Sequence, residues 1–299
     1  YNLYFPRLII PELTIRFGLQ FSLATKLQII YCMYDNNDSD HIICAGTFLN
    51  MDLDSITNIL SLLQHVQNEK TYVDDNIIGL DQIWKFFFES GFIPPDKYSN
   101  IAQKKNKIKS FYNSLYSGSP HISKQFTYQE SGEILAHVSM IRFFERAWLI
   151  HHHAADNYKE PYAGIKVLSQ VSRYIKEVHH YDAANMDKVM CFYQPEKNFP
   201  ERVFGGVASY INNRKKCSTD TFAYISSAKK LPHNVFIKDH FIEHAHNDDI
   251  DDFVCKYKKI SNGLLVNTFH FRDSENLINE YSKFGLHRNL SSYVISINN

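Results

Sequence analysis

The side chains best suited to chemistry gather around one run, Trp148-Leu149-Ile150-His151-His152-His153. On a β-strand alternate residues face opposite sides, which places His151 and His153 on one face and His152 on the other. Consecutive strand residues cannot close on one metal ion by themselves, so a metal site would need Asp156, His179 or His180 to fold back. One alternative is an outward imidazole that meets a substrate, since histidine changes charge near neutral pH. The other is a half-buried, hydrogen-bonded histidine. Cys191 lies in the apolar run Val189-Met190-Cys191-Phe192, which predicts a buried, inert thiol. Cys217 follows Arg214-Lys215-Lys216, cations expected to lower a thiol pKa. His240, His244, His246, Asp248, Asp249, Asp251 and Asp252 suit a divalent ion or, more simply, a helix N-terminus whose dipole favours carboxylates. Neither GxxxxGK(S/T) nor GxGxxG occurs, so nothing supports a nucleotide hydrolase.

Composition bounds what can hold these residues. Lys+Arg and Asp+Glu number 32 each, for a net charge of +0. That removes the broad basic field of a general nucleic-acid binder, and no nucleic-acid partner is expected. Hydrophobic residues at 44%, charged residues at 21%, 11 Gly and 9 Pro describe a folded globular chain. Its 299 residues suffice for two ordinary domains or three small ones. The 5 cysteines are scattered without a CxxC pair, which suggests neither a disulfide framework nor a thiolate zinc site and fits a cytoplasmic location. No run reaches the ~20 apolar residues of a membrane span. A start on Tyr1 rather than Met suggests a fragment.

The elements that must position the histidines follow from hydrophobic period. Residues 13–19, 26–31 and 41–48 read as strands, the last two joined at the polar turn 35–40, and residues 54–66 as a helix capped by Asp54 or Ser55. Residues 67–76 are polar enough for a linker. Two helical pieces, 79–89 and 102–116, are separated by Gly91-Phe92-Ile93-Pro94-Pro95, which no continuous helix accommodates. Residues 125–129, 132–143 and 146–153 suit an antiparallel meander. After it, Ile165, Leu168, Val171, Ile175 and Val178 mark a helical stripe, residues 188–193 a strand and 203–211 a helix. Beyond Cys217 come a strand at 221–226, a helix at 250–259, a strand at 264–271, a helix at 274–284 and a strand at 291–297. The fold class expected is α+β or α/β, a mixed sheet with helices packed on it.

The segment 128–193 resembles the GNAT N-acetyltransferase superfamily. In that family one central strand parts from its neighbour, and the next helix begins at an R/Q-x-x-G-x-G/A turn whose amides hold the pyrophosphate of coenzyme A. Here 132–143 and 146–153 look like adjacent central strands, and Lys159-Glu160-Pro161-Tyr162-Ala163-Gly164-Ile165 stands where the turn belongs. Lys159 replaces Arg or Gln, and Tyr162 replaces the first Gly. A helix N-terminus is an anion site in general. The resemblance implies acetyl-CoA or another acyl-CoA as cofactor and an amine-bearing small molecule or protein as acceptor. It implies binding by Ile150, Lys159, Ala163, Gly164 and Ile165, with Gly164 admitting close approach. It also implies a general base at His151 or His152, and Tyr193 as the acid for the departing thiolate. The likeness covers 77–215, and 216–299 more faintly as a partial second copy, a tandem arrangement also seen in Fem-type aminoacyl transferases.

Residues 1–70, with Ala45-Gly46-Thr47-Phe48-Leu49, resemble the back half of a PilZ domain, beside which bacterial GNAT-like regulatory proteins place such units. PilZ domains bind cyclic di-GMP through RxxxR and (D/N)xSxxG. Arg7 and Arg16 do not have the first spacing, and Ile42 stands where the second needs Gly. A link to cyclic di-GMP signalling would then run through sequence preceding this chain. Two functional expectations result: an acyltransferase, or a non-catalytic GNAT-like regulatory or interaction module.

Overall fold

A computed structural model describes residues 4–17, 21–34, 41–74, 79–116, 121–223, 240–271 and 274–297. The chain divides into two compact units, Tyr1–Asn68 and Glu69–Asn299.

In the first unit, β1 (Ile9–Phe17), β2 (Phe21–Tyr34) and β3 (Ile42–Leu49) form an antiparallel sheet in the order β1-β2-β3. These are the strands that β-branched and aromatic content predicts. The turn expected at 35–40 lies outside the described residues, and with it the part of the (D/N)xSxxG comparison that precedes His41 and Ile42. Helix α1 (Leu53–Gln67) is capped by Asp52, whose carboxylate accepts the Ser55 amide at 2.7 Å. The cap falls before Asp54 and Ser55 because Asp52 is the last extended residue. Leu53 and Ile56 are buried, whereas the stripe's far end, Leu63 and Val66, is exposed.

The second unit is built on a five-stranded sheet in the order β4-β5-β6-β7-β8. Its first strand, β4 (Thr71–Val73), comes from the stretch expected as a linker, where Thr71 and Val73 point inward and pair with Tyr128 and Phe126. Residues 75 and 76 of that stretch lie outside the described residues. Then follow α2 (Leu80–Glu89), α3 (Tyr98–Gln103) and α4 (Lys105–Tyr116), with the expected break at Gly91, whose φ is 70°, and Pro95. The meander is β5 (Ser123–Glu130), β6 (Glu133–Phe144) and β7 (Ala147–Ala155). Helix α5 (Ala163–Val178) then crosses over to β8 (Lys188–Cys191), which lies parallel to β7.

Strand β6 is covered on both faces. Phe126, paired with Val138, meets Tyr174 of α5 at 5.2 Å between ring centroids, while the adjacent His137 meets Phe87 of α2 at 5.1 Å. Alternation therefore puts α5 on one face of the sheet and α2 with α4 on the other. The buried stripe of α5 is Gly164, Val167, Val171, Tyr174 and Val178. Relative to the predicted stripe the helix is rotated, so that Tyr174 rather than Ile175 fills the core and Ile165 is exposed.

Past β8 the chain forms a short α6 (Asn198–Pro200), a π-turn at Glu201–Gly205 and α7 (Gly206–Ile211). Strand β9 (His240–His244) pairs with β10 (Tyr293–Ile297), and between them lie α8 (Asn247–Ile260), α9 (Leu265–Thr268) and α10 (Glu275–Ser282). Two expected strands are corrected. Residues 221–223 are in no strand, and 224–226 lie outside the described residues. Within 264–271, α9 forms because Ser218 Oγ accepts the Leu264 amide, Tyr257 Oη accepts the Leu265 amide and Thr268 Oγ1 donates back to Leu264 O. Leu277, Tyr281 and Leu286 share one core cluster with Leu115 and Ile122, so part of 216–299 packs with α4.

Lys124 is wholly buried on β5 and meets Asp74 Oδ2 at 2.7 Å, while Asp74 Oδ1 accepts the Gln125 amide at 2.8 Å. Asp74→Ala leaves that ammonium without its carboxylate and is expected to cost ~3 kcal/mol in denaturant unfolding, and Lys124→Met much less. Equal costs would show that the ion pair does not hold β4 in place.

Candidate functional site

The β7–β8 ladder runs from Ala147↔Lys188 to Ile150↔Cys191 and stops there, while β7 continues to Ala155. Beyond Ile150 the edge of β7 away from β6 has no strand partner among the described residues, an opening in the ladder rather than in the packing, since Phe199 stacks on His153 there. The meander strands remain paired to Ala136↔Ala155, so the strand from which β7 parts is the parallel one.

Between Ser139↔His151 and His137↔Ala154, β7 carries one residue more than β6, and His152 sits in this bulge with φ 54°. The bulge overturns simple alternation of the histidines. His151 Nε2 lies 2.7 Å from the Tyr116 hydroxyl and His152 Nδ1 3.1 Å from the Tyr112 hydroxyl. Both rings lie against α4, with centroids 4.0 Å apart. His153 turns to α5 and donates from Nε2 to Gly164 O at 3.1 Å.

His137 extends the group, donating from Nδ1 to the His152 carbonyl at 3.1 Å, with Ser139 Oγ near its Nε2 and 3.2 Å from the Tyr112 hydroxyl. Burial pushes the imidazoles down, to about 3 for His137 and His151 and about 4 for His152. It pushes the Tyr112 and Tyr116 phenols up. All five are uncharged at neutral pH, so the imidazole titrating near 7 that an efficient base would offer is absent at His151 and His152. The sequence reading missed Tyr112, Tyr116, His137 and Ser139. The signal available was the i, i+4 spacing of the tyrosines on one helix face.

At the opposite end of the opening, the α5 turn takes the expected place. Tyr162 adopts φ 67°, the left-handed conformation that the glycine it replaces reaches without cost, and its ring is 71% exposed. Several amides expected to bind phosphate are spent locally: Lys159 N–H on Asp156 Oδ1, Ala163 N–H on Glu160 O and Ile165 N–H on Tyr162 O. Among the described residues the amides of Tyr162 and Gly164 donate to no group. Lys159 pairs with Glu133 at 2.8 Å and Lys166 with Glu160. Gly164 is a glycine for packing, since a Cβ there would stand 3.1 Å from His153 Nε2 and 3.2 Å from Ala155 Cβ.

Tyr193 lies beyond the end of β8. Burial, with the Glu201 carboxylate at its hydroxyl, raises its pKa, and its ring meets Phe204 at 6.0 Å. The same segment returns to β7 through Phe199, stacked on His153 at 5.4 Å. Burial pushes the Cys191 thiol up to about 11 and raises Cys217 as well, against the lowering expected from its basic neighbours. Asp249 accepts the His246 amide at 2.8 Å at the start of α8. Among the described residues no three His, Cys, Asp or Glu side chains are arranged to hold a metal ion, and no helix is long and apolar enough to cross a membrane.

No protein-family model and no curated protein matches this chain. Among solved structures, it is similar to an aminoglycoside acetyltransferase from an uncultured soil metagenomic sample, with 10% identity, TM-score 0.34 and 54% of this chain against 99% of that one. Glucosamine-6-phosphate N-acetyltransferase from Arabidopsis thaliana shows 14% identity and TM-score 0.31 over 53% and 99% of the two chains. Ribosomal-protein-alanine N-acetyltransferase from Brucella melitensis shows 10%, 0.31, 53% and 98%. Likeness at these scores decides nothing about chemistry.

The buried histidines make stability depend on pH. Their folded pKa values lie below the ordinary 6.5, so the unfolded chain binds more protons as pH falls through that value. Stability is full above it and declines on the way to the folded values near 3 and 4, by ~1 kcal/mol per pH unit for each histidine. Urea titrations across this range check it, with His137→Gln expected to flatten the slope. A slope unchanged in that variant would remove His137 from the linkage.

Proposed function

We propose that Glu69–Asn299 is an acyl-CoA-dependent N-acyltransferase of the GNAT type, acting on an amine of a small molecule or protein. The observation that carries this reading is the opening beside β7. A parallel ladder stops at Ile150 and Cys191, while β7 continues through the His152 bulge toward the start of α5. Two backbone positions there, His152 and Tyr162, are held at positive φ, a cost that concentrates at functional sites.

The chain's residues fit a diphosphate at that helix start. The unengaged amides of Tyr162 and Gly164 and the dipole of the 16-residue α5 favour an anion, and Lys159 and Lys166 stand within the same turn. Acyl-CoA supplies the acyl group already activated as a thioester. Ile150, at the last rung of the ladder, offers main-chain hydrogen bonding. His151 and His152, fixed by Tyr116 and Tyr112, would hold the amine as hydrogen-bond acceptors while its proton leaves to water. Tyr193 stays protonated and donates to the leaving thiolate. A second reading, a non-catalytic interaction module, is favoured by the carboxylates of Asp156 and Glu160, which already occupy the turn's donors and cations.

Acetyl-CoA at a hundredfold excess over Kd should raise stability by ~2.7 kcal/mol in thermal unfolding. Lys166→Glu should weaken binding ~10-fold by adding a negative charge, and Glu160→Gln should tighten it by removing one. No stabilisation at millimolar acetyl-CoA would leave the interaction module, and cyclic di-GMP in the same assay tests the link implied by residues 1–70. With an amine acceptor, Tyr193→Phe should lower kcat ~100-fold with KM little changed. Full activity in that variant would assign the acid elsewhere.

A further inference from the structure

We propose that Cys32 and Cys44 form a reversible disulfide, a thiol-oxidation site in the first unit that is separate from the acyl-transfer reading. The two residues are direct partners in the β2–β3 register, between Tyr31↔Ala45 and Met33↔Ile43. Their Sγ atoms lie 2.7 Å apart, inside the van der Waals contact of two sulfurs. Both are free thiols, Cys32 half-buried and Cys44 exposed. Opposed residues of an antiparallel pair have Cα atoms about 4.5–5.5 Å apart, within the span of about 4.4–6.8 Å that a disulfide bridges, so closure needs no backbone movement.

Access distinguishes this pair from the other thiols. Met33, Tyr34 and Ile43 around it are themselves exposed, so a small disulfide reaches Cys44 directly. Cys44 is the more exposed of the two and is reached first, while the contact with Cys44 pushes the Cys32 thiol up. With a low-molecular-weight disulfide such as oxidised glutathione, Cys44 loses its proton to water. Its thiolate then forms a bond to one glutathione sulfur, and the second glutathione leaves as thiolate. Cys32, deprotonated in turn, attacks Cys44 Sγ and expels the first glutathione. Two protein thiols are oxidised by two electrons, and one glutathione disulfide is reduced to two thiols. The product staples β2 to β3 across the segment 33–43.

The test treats the full chain with oxidised glutathione and maps peptides by mass spectrometry, with hydrogen exchange alongside. Expected are a Cys32–Cys44 cross-linked peptide, loss of both thiols in titration, recovery with dithiothreitol, and slower amide exchange in β2 and β3 when oxidised. Cys32→Ser should trap glutathione on Cys44, with Cys255, exposed on α8, as a reference for unassisted reaction. Glutathione persisting on Cys44 in the unsubstituted chain, or both thiols surviving under conditions that modify Cys255, would overturn the proposal. The single Ser substitutions sit on an exposed strand face, and the unsubstituted chain alone already decides the outcome.

Discussion

One extra residue in β7 determines the arrangement around it. At His152 the ladder with β6 admits a residue in the left-handed region, and the regular alternation of strand side chains is interrupted there. Without the bulge, His151 and His153 would share a face and His152 would stand alone. With it, His151 and His152 lie together against the tyrosines of α4, and His153 reaches the first turn of α5. The bulge is held from below, since the His152 carbonyl accepts from the fully buried His137. Each of these hydrogen bonds satisfies a polar group in a poorly solvated place, where leaving it unpaired costs more than the bond itself contributes.

The start of α5 depends on the same strand from the other side. Gly164 comes close enough to β7 that His153 and Ala155 leave no room for a methyl group. To make that approach the chain turns at Tyr162 in a conformation tyrosine seldom adopts, costing roughly 1–2 kcal/mol. The same turn leaves its own amide and that of Gly164 without acceptors, at the positive end of a long helix. Against this stand Asp156 and Glu160, which draw Lys166 and nearby amides to themselves. An anion bound as proposed would have to compete for Lys159 and Lys166, so its affinity would depend on how readily two ion pairs exchange partners. The Lys159–Glu133 pair is exposed and therefore weak, whereas Lys166–Glu160 is partly buried and the harder of the two to exchange.

Much of this architecture is legible in the sequence, because hydrophobic period survives where elements face one core. The meander, the break at Gly91 and Pro95, α5 and the strand after it all follow from spacing. The failures have local causes. The strand expected at 264–271 is β-like in composition, yet side chains of Ser218, remote in sequence, and of Tyr257 in the preceding helix cap it into a helical turn. Three-residue β4 is too short to show a period and exists because β5 offers an edge. The histidines were visible as a cluster, but their orientation was not, since a bulge leaves no mark in residue type. Lys159, Ala163 and Ile165 do lie at one turn before and into α5, but which amides remain undonated depends on hydrogen bonds that a motif does not encode.

The neutral character of the histidine–tyrosine group follows from where it lies. Phe87 and Phe92 cover it edge-on, α4 closes it, and burial is the largest influence on His137, His151 and His152, opposed at His137 only by its bond to the His152 carbonyl. Such a group is poor at storing charge and good at fixing orientation, because each hydroxyl and imidazole has a specific partner. A substrate amine beside β7 would therefore meet acceptors in fixed positions, and the proton it loses must end elsewhere, in water or on a group outside the cluster. In the proposed transfer the acid on the β8 side would be Tyr193, its phenol held protonated by burial and by the adjoining Glu201 carboxylate.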